Sequence, residues 1–175
     1  MADITPALKN IDQNETKYGA SVSENTMTKV GGSINFLNTY WYHSYTFNFL
    51  GPFHSIQGAE DGLMIIPFDA EIAAITGRCR AYGTSGNTVL DIHKVSGSTD
   101  SGTVLSTKIT LTNAVTDGQV FGTNFITSTS ATATGVTLPV FSSRNFDAFQ
   151  GLRLDIDSNA AGARDLTLNV WFRAR

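Results

Sequence analysis

Two pairs of residues stand at spacings that could do chemistry: Asp91 with His93, and Asp155 with Asp157. Residues two apart in a strand share a face, so each pair sets its groups side by side. Asp155-Ile156-Asp157, followed by Ser158-Asn159, offers the oxygen ligands that calcium takes. No glycine stands where a calcium loop needs one, and Arg153 shares the face, so ion binding by Asp155 and Asp157 is left open. Asp91 and His93 point outward and would lie near Arg78 and Arg80 if those strands pair. That reads as a cross-strand charge ladder, worth roughly 0.2–1 kcal/mol per pair, and not as a metal site.

Other chemistry is sought without result. His43, His54 and His93 show no H-x-x-x-H or H-E-x-x-H spacing. Gly83-Thr84-Ser85-Gly86 is one residue short of a nucleophile elbow and sits between strands, where a helix should follow. Glycoside hydrolysis needs a cleft and a second placed acid, and the sequence names neither. There is no P-loop and no G-x-G-x-x-G. Cys79 alternates with Ile75, Gly77 and Ala81 and reads as a small buried apolar side chain. A single cysteine rules out an intramolecular disulfide. The expectation is a non-enzymatic protein without a cofactor.

The elements that must carry these residues are strands. Leu166-Thr167-Leu168-Asn169-Val170-Trp171-Phe172-Arg173 alternates apolar and polar, the mark of a strand with one face in a core and one in water. Similar stretches run from Tyr45 to Leu50, Phe53 to Gln57, Leu63 to Phe68, Glu71 to Tyr82 and Thr88 to Val95. Val104 to Leu111, Gln119 to Phe125, Val136 to Phe141, Gly151 to Asp157 and Asp165 to Phe172 complete the set. Gly51-Pro52, Asp61-Gly62 and Gly83 to Asn87 supply turns between them. Ser96 to Gly102 reads as a flexible loop, and Thr127 to Thr134 as a low-complexity loop too poor in apolar residues for a core strand. The fold class is all-β: an antiparallel, jelly-roll-like β-sandwich over residues 44–175.

Residues 1–22 are polar with isolated Ile4, Leu8 and Ile11. They read as an arm that orders on a neighbouring subunit, or equally as a frayed terminus. Residues 23–43 read as a short helix and an aromatic junction. Ser23 is a good N-cap, and Met27, Val30, Ile34, Leu37 and Trp41 follow at spacings of 3, 4, 3 and 4, a heptad seam. Two heptads are too short to be stable alone, and Gly31-Gly32 costs roughly 1 kcal/mol per glycine. The helix therefore docks on its own sandwich or meets symmetry mates around a three-fold axis. Tyr40-Trp41-Tyr42-His43 plugs the junction with the sheet or stacks sugars.

The totals bound the class of partner. The chain has 175 residues, enough for one domain with an appendage. Charged residues make up 15%, against roughly 25% in an average soluble domain, and Ser, Thr, Asn and Gly supply the polarity instead. Few long charged side chains need desolvating at contacts, which suits a protein that assembles. A net charge of -3 without a Lys/Arg block argues against nucleic acid. The N-terminus has neither a basic n-region nor an apolar h-region, and the longest apolar run, Leu63 to Phe68, is too short to span a bilayer. The expectation is a chain made in a cytoplasm, without a membrane.

Two segments resemble small structural proteins of tailed bacteriophages. Ile66-Pro67-Phe68-Asp69-Ala70-Glu71-Ile72, followed by Thr84 to Lys94, is similar to a strand and hairpin of head-decoration and appendage domains. Leu152 to Asp157 with Leu166 to Val170 is similar to their closing hairpin. The resemblance covers residues 60–175 and rests on structural motifs. It implies a jelly-roll domain, often trimeric, on the outside of a virion. The expected role is decoration or cementing of a capsid exterior, with the major capsid protein or another virion protein as partner. A tail fibre, spike or baseplate module is the second reading, with glycans met by Ser96 to Gly102, Thr127 to Thr134 or Tyr40 to Tyr42. A cellular carbohydrate-binding module is the third.

Overall fold

The computed structural model describes residues 42–52 and 63–175. The expected arm with Ile4, Leu8 and Ile11, the heptad seam from Met27 to Trp41 and the strand Phe53 to Gln57 lie outside the described residues. Among the described residues every regular element is a strand. In chain order these are β1 (Tyr42–Pro52), β2 (Met64–Ile65), β3 (Ala70–Ala81), β4 (Asn87–Ser96), β5 (Thr99–Thr103), β6 (Leu105–Thr107) and β7 (Ile109–Thr112). Then follow β8 (Val120–Asn124), β9 (Thr129–Ala131), β10 (Val136–Thr137), β11 (Val140–Phe141), β12 (Asn145–Phe146), β13 (Gly151–Ser158) and β14 (Arg164–Ala174).

These strands form two antiparallel sheets that share one core. The first runs β1-β14-β3-β8-β9, with β12 also on β3; the second runs β10-β7-β4-β13-β2, with β5 also on β4. β6 and β11 make a separate ribbon. The pairings are nested. β1 pairs β14, β2 pairs β13, β3 pairs β8 and β4 pairs β7. Each outer pair is therefore joined through sequence that builds the inner ones.

Alternation explains the core. Leu166, Leu168, Val170 and Phe172 of β14 are all fully buried, while Thr167, Asn169 and Trp171 take the outward parity. They meet Phe47 and Phe49 of β1 and Ile75 and Cys79 of β3 on their own sheet, and Leu90, Ile92, Leu154 and Ile156 from the second. Each such side chain contributes about 1.5–3 kcal/mol by leaving water. Phe172 stacks edge-on with both Tyr45 and Phe146, centroids 5.5 Å apart.

The structure differs from the expected strands in several places. Ser96 to Gly102 is not simply a loop: Gly97 at φ 60° turns the chain, and Thr99–Thr103 pairs back on β4 through Ser96–Thr99, Val95–Asp100 and His93–Thr103. Its Ser/Thr/Asp composition hides a strand held by backbone bonds. Within 127–134, Thr129–Ala131 is an edge strand whose residues are all exposed, so it adds no core. Val136 to Phe141 breaks into two strands around Pro139, which has no N–H for a ladder. Leu63 to Phe68 keeps only Met64–Ile65 as strand, ahead of Pro67. Tyr82, at the end of the Glu71 to Tyr82 stretch, shares the parity of Arg78 and Arg80 and would face outward in a regular strand, yet it is buried. β3 ends at Ala81, and the Tyr82 ring turns inward to donate its hydroxyl hydrogen to the Gln119 carbonyl.

One close approach fixes how β8 lies on β3. Gly122 has φ 154°, and a Cβ there would run into the carbonyl oxygen of Ile75 on the paired strand. Gly122→Ala should therefore cost about 3 kcal/mol of folding stability, read as a lower urea midpoint with an unchanged slope.

Candidate functional site

The ionisable residues singled out from the sequence converge on the outer face of the second sheet. In the β4–β13 register Asp91 stands directly opposite Asp155, and His93 opposite Arg153. Two carboxylates facing each other across a ladder repel. Asp91 is only 1% exposed, so its charge must be met within the protein.

Cations and hydrogen-bond donors meet it. Lys108, between β6 and β7, places Nζ 2.7 Å from Asp91 Oδ2 and 2.6 Å from Asp157 Oδ2. Asp91 Oδ1 accepts the Ile92 backbone N–H at 2.8 Å and the Thr103 hydroxyl. Arg153 grips Asp155 with two bonds, Nε to Oδ1 and Nη2 to Oδ2, each 2.7 Å, and reaches Asp100 Oδ2 at 2.8 Å. His93 lies among them. Its Nδ1 is 3.0 Å from Asp100 Oδ1 and 3.1 Å from Arg153 Nη2, and its Nε2 is 3.3 Å from Asp91 Oδ2. Four carboxylates thus share two permanent cations.

The pKa directions follow. Burial pushes the Asp91 carboxyl up, but hydrogen bonds from Lys108 and Thr103 and the charges of Lys108 and His93 outweigh it, and the net direction is down. Asp100 is held down at about 2: desolvation opposes this, and the Gly102 N–H, His93 and Arg153 overcome it. Lys108 is pushed up, chiefly by its bond to Asp157 and then by that to Asp91.

This corrects the sequence reading in two respects. Arg78 and Arg80 are not neighbours of Asp91 and His93, because β3 pairs with β14 and β8 in the other sheet. Asp91 has the outward parity yet is covered, because Lys108, His93 and Thr103 close over it. Asp155 and Asp157 are engaged by Arg153 and Lys108. Among the described residues no group of three His, Cys, Asp or Glu side chains is arranged to hold a metal ion. The network ties β4, β5 and β13 to the start of β7. Cys79 is buried, and burial followed by the Asp117 charge pushes its thiol up to about 12, too high for a nucleophile near neutral pH.

The outer face of the first sheet carries a second feature that the sequence analysis touched only in part. Cross-strand register lines up Ser44, Trp171, Ala74, Asn124 and Thr129 in one row, and Thr46, Asn169, Thr76, Gly122 and Ala131 in the next. Small residues at Ala74, Thr76, Gly122 and Ala131 leave a trough of about 610 Å³, walled by Trp171, Tyr42 and Val120. Tyr42 and Thr129 to Ala131, both named as candidate glycan contacts, meet here, whereas β5 lies on the other sheet. Trp171 was not singled out. Its signal is parity: a tryptophan at a polar, outward position of an otherwise regular alternation.

No family of known proteins matches the chain, and no curated protein matches it. Among solved structures, the capsid of Ralstonia phage GP4 aligns over 78% of this chain and 86% of its own, with 14% identity and a TM-score of 0.48. That likeness is too slight to carry a role across.

The network makes an acid-labile contribution to stability. Depressed carboxylates stabilise the fold above their unfolded pKa near 3.8, and that contribution is lost as pH falls through the folded values. Stability should decline from about pH 4 toward about 2. Lys108→Met, which strands the Asp91 charge, should cost roughly 3 kcal/mol at pH 7, and the cost should shrink in acid as Asp91 protonates, measured by urea denaturation at a series of pH values.

Proposed function

We propose that this chain is a non-enzymatic structural protein of a phage virion, a jelly-roll body that decorates or cements the capsid exterior. One observation carries the reading: an apolar corner on display. Leu63, Ile65 and Phe149 come together where β2 pairs with the start of β13, and Phe149 is 72% exposed. Phe149 also has φ 66°, a conformation costly for a bulky residue. Its N–H donates to the Ile66 carbonyl at 2.6 Å, and the Ile66 N–H donates to the Gln150 carbonyl, so backbone bonds hold this turn against the segment that follows β2. A strained aromatic turned toward water is what a protein contact requires and what a solitary fold avoids.

The nested pairing of β1 with β14, β2 with β13, β3 with β8 and β4 with β7 supports the jelly-roll reading. The phage-like motifs fall on the starts of β3 and β4 and on β13 and β14. In this proposal the arm bearing Ile4, Leu8 and Ile11 anchors the body to a neighbour, and the seam from Met27 to Trp41 joins three copies. Many equivalent contacts add avidity, and binding only to the assembled lattice stabilises that lattice. The tail-appendage reading differs in stoichiometry.

Phe149→Asn removes the ring and puts a residue that tolerates positive φ in its place. The variant should keep or gain up to about 1 kcal/mol of stability while losing association with shells, measured by co-sedimentation. Quantitative mass spectrometry of purified virions should find on the order of hundreds of copies. A few tens would move the protein to the tail, and absence from virions would end the reading.

A further inference from the structure

We propose that the trough on the outer face of the first sheet is a binding site for a neutral saccharide, with Trp171 as the stacking platform. Its lining contains no ionised side chain. Phosphate, nucleotide and charged peptide therefore find no counter-charge in it. The lining is largely apolar at the walls, with isolated hydroxyls and an amide, the usual composition of a small-ligand site of this size.

The geometry of the rows specifies the ligand further. Trp171 is 37% exposed and stands directly across from Ala74, so nothing on β3 covers the inner side of its ring. Tyr42 is paired with Arg173, two residues along β14, which makes it the diagonal neighbour of Trp171 on the same face. Across the floor, Asn124 is pinned: its Oδ1 accepts the backbone N–H groups of Ile126 at 2.9 Å and Thr127 at 3.1 Å. That fixes which end of the amide is which and leaves Nδ2 as a donor without a partner among the described residues. The hydroxyls of Thr76 and Ser130 likewise have none there. A pyranose ring has an apolar C–H face to lie on an indole and a rim of hydroxyls to meet an amide and hydroxyls beside it. The open trough has room for a short oligosaccharide.

A second copy of this chain meeting it face to face through the same trough is the competing occupant, and shape argues against that pairing. Two copies meeting through this face would set concavity against concavity and leave a void between them, which close packing does not tolerate. One floor position is also fixed as small by pairing: a Cβ at Gly122 has no room. Phe149 lies in the turn just before β13, a strand of the other sheet.

The test uses the full chain, labelled with ¹⁵N, titrated separately with maltotriose, cellotriose and chitotriose, with a neutral-glycan array in parallel. The indole N–H of Trp171, assigned with a Trp41→Phe variant, and the side-chain amide of Asn124 should shift saturably with at least one probe. Trp171→Ala should abolish the shift at Asn124. Thr76→Val, a substitution of equal shape at a half-buried outward position, should weaken binding about tenfold without altering the thermal midpoint. Silence on the array and with all three sugars overturns the proposal. So does binding that survives Trp171→Ala. Concentration-dependent self-association that Trp171→Ala abolishes would assign the face to a second copy and overturn it equally.

Discussion

β14 is hydrogen-bonded to β1 along one edge and to β3 along the other. The last strand in the sequence thus lies inside the first sheet, between β1 and β3. Until it inserts, β1 and β3 have no common partner and Phe47, Ile75 and Cys79 have no wall of Leu166, Leu168, Val170 and Phe172 to pack against. The second sheet shows the same logic one layer in, with β13 between β4 and β2. The β1–β14 pairs join residues more than a hundred positions apart and the other pairings of β13 and β14 join residues 56 to 104 apart, so their loop-closure entropy is met before the contacts return anything. The register is what makes the outcome unique. A slip of one residue in β14 would turn its four buried apolar side chains to water and bring Trp171 into the core.

That register also creates a cost that the protein settles locally. Pairing β4 with β13 brings Asp91 against Asp155, both almost without exposure. Lys108 and Arg153 answer the repulsion, and Asp100 and Thr103, carried on β5, complete the hydrogen bonding. The β4–β5 hairpin is therefore held by side-chain charge as well as by its backbone ladder. This accounts for order in a segment whose composition is that of a loop. A buried ion network of this kind adds little net stability over an apolar one, but removing any single member leaves an uncompensated charge.

Strands were legible in the sequence because alternation records which side of a strand is wet. β3, β4, β8, β13 and β14 lie close to where Ala73 to Ala81, Leu90 and Ile92, and Leu166 to Phe172 put them. Neighbourhood was not legible, because alternation says nothing about which strand pairs with which. That is why Arg78 and Arg80 looked like partners for Asp91 and His93 and are not. The covering of Asp91 depends on Lys108 and Thr103, whose approach follows from where β5 and β7 dock. β5 and β9 escaped notice because exposed edge strands need no apolar face. The seam from Met27 to Trp41 and the arm lie beyond the described residues.

The two outer faces divide the chain's scarce charge unevenly, and the division follows from the same parity that builds the core. On the second sheet, Asp91, His93, Arg153, Asp155 and Asp157 pair with one another or with Lys108, so little of that charge is free to meet a partner. On the first sheet, the Arg173–Glu71 ion pair lies at one end and Arg78 and Arg80 at the other, and between them the rows hold only small, hydroxyl, amide and aromatic side chains. A surface without fixed charge gains little from long-range attraction and must recognise by shape and short-range contact. The Phe149 corner meets that condition with a convex apolar projection, and the Trp171 trough with a concave, partly polar one. In the proposed roles, surfaces of opposite curvature and different polarity suit different kinds of partner, so engaging one would not consume the other.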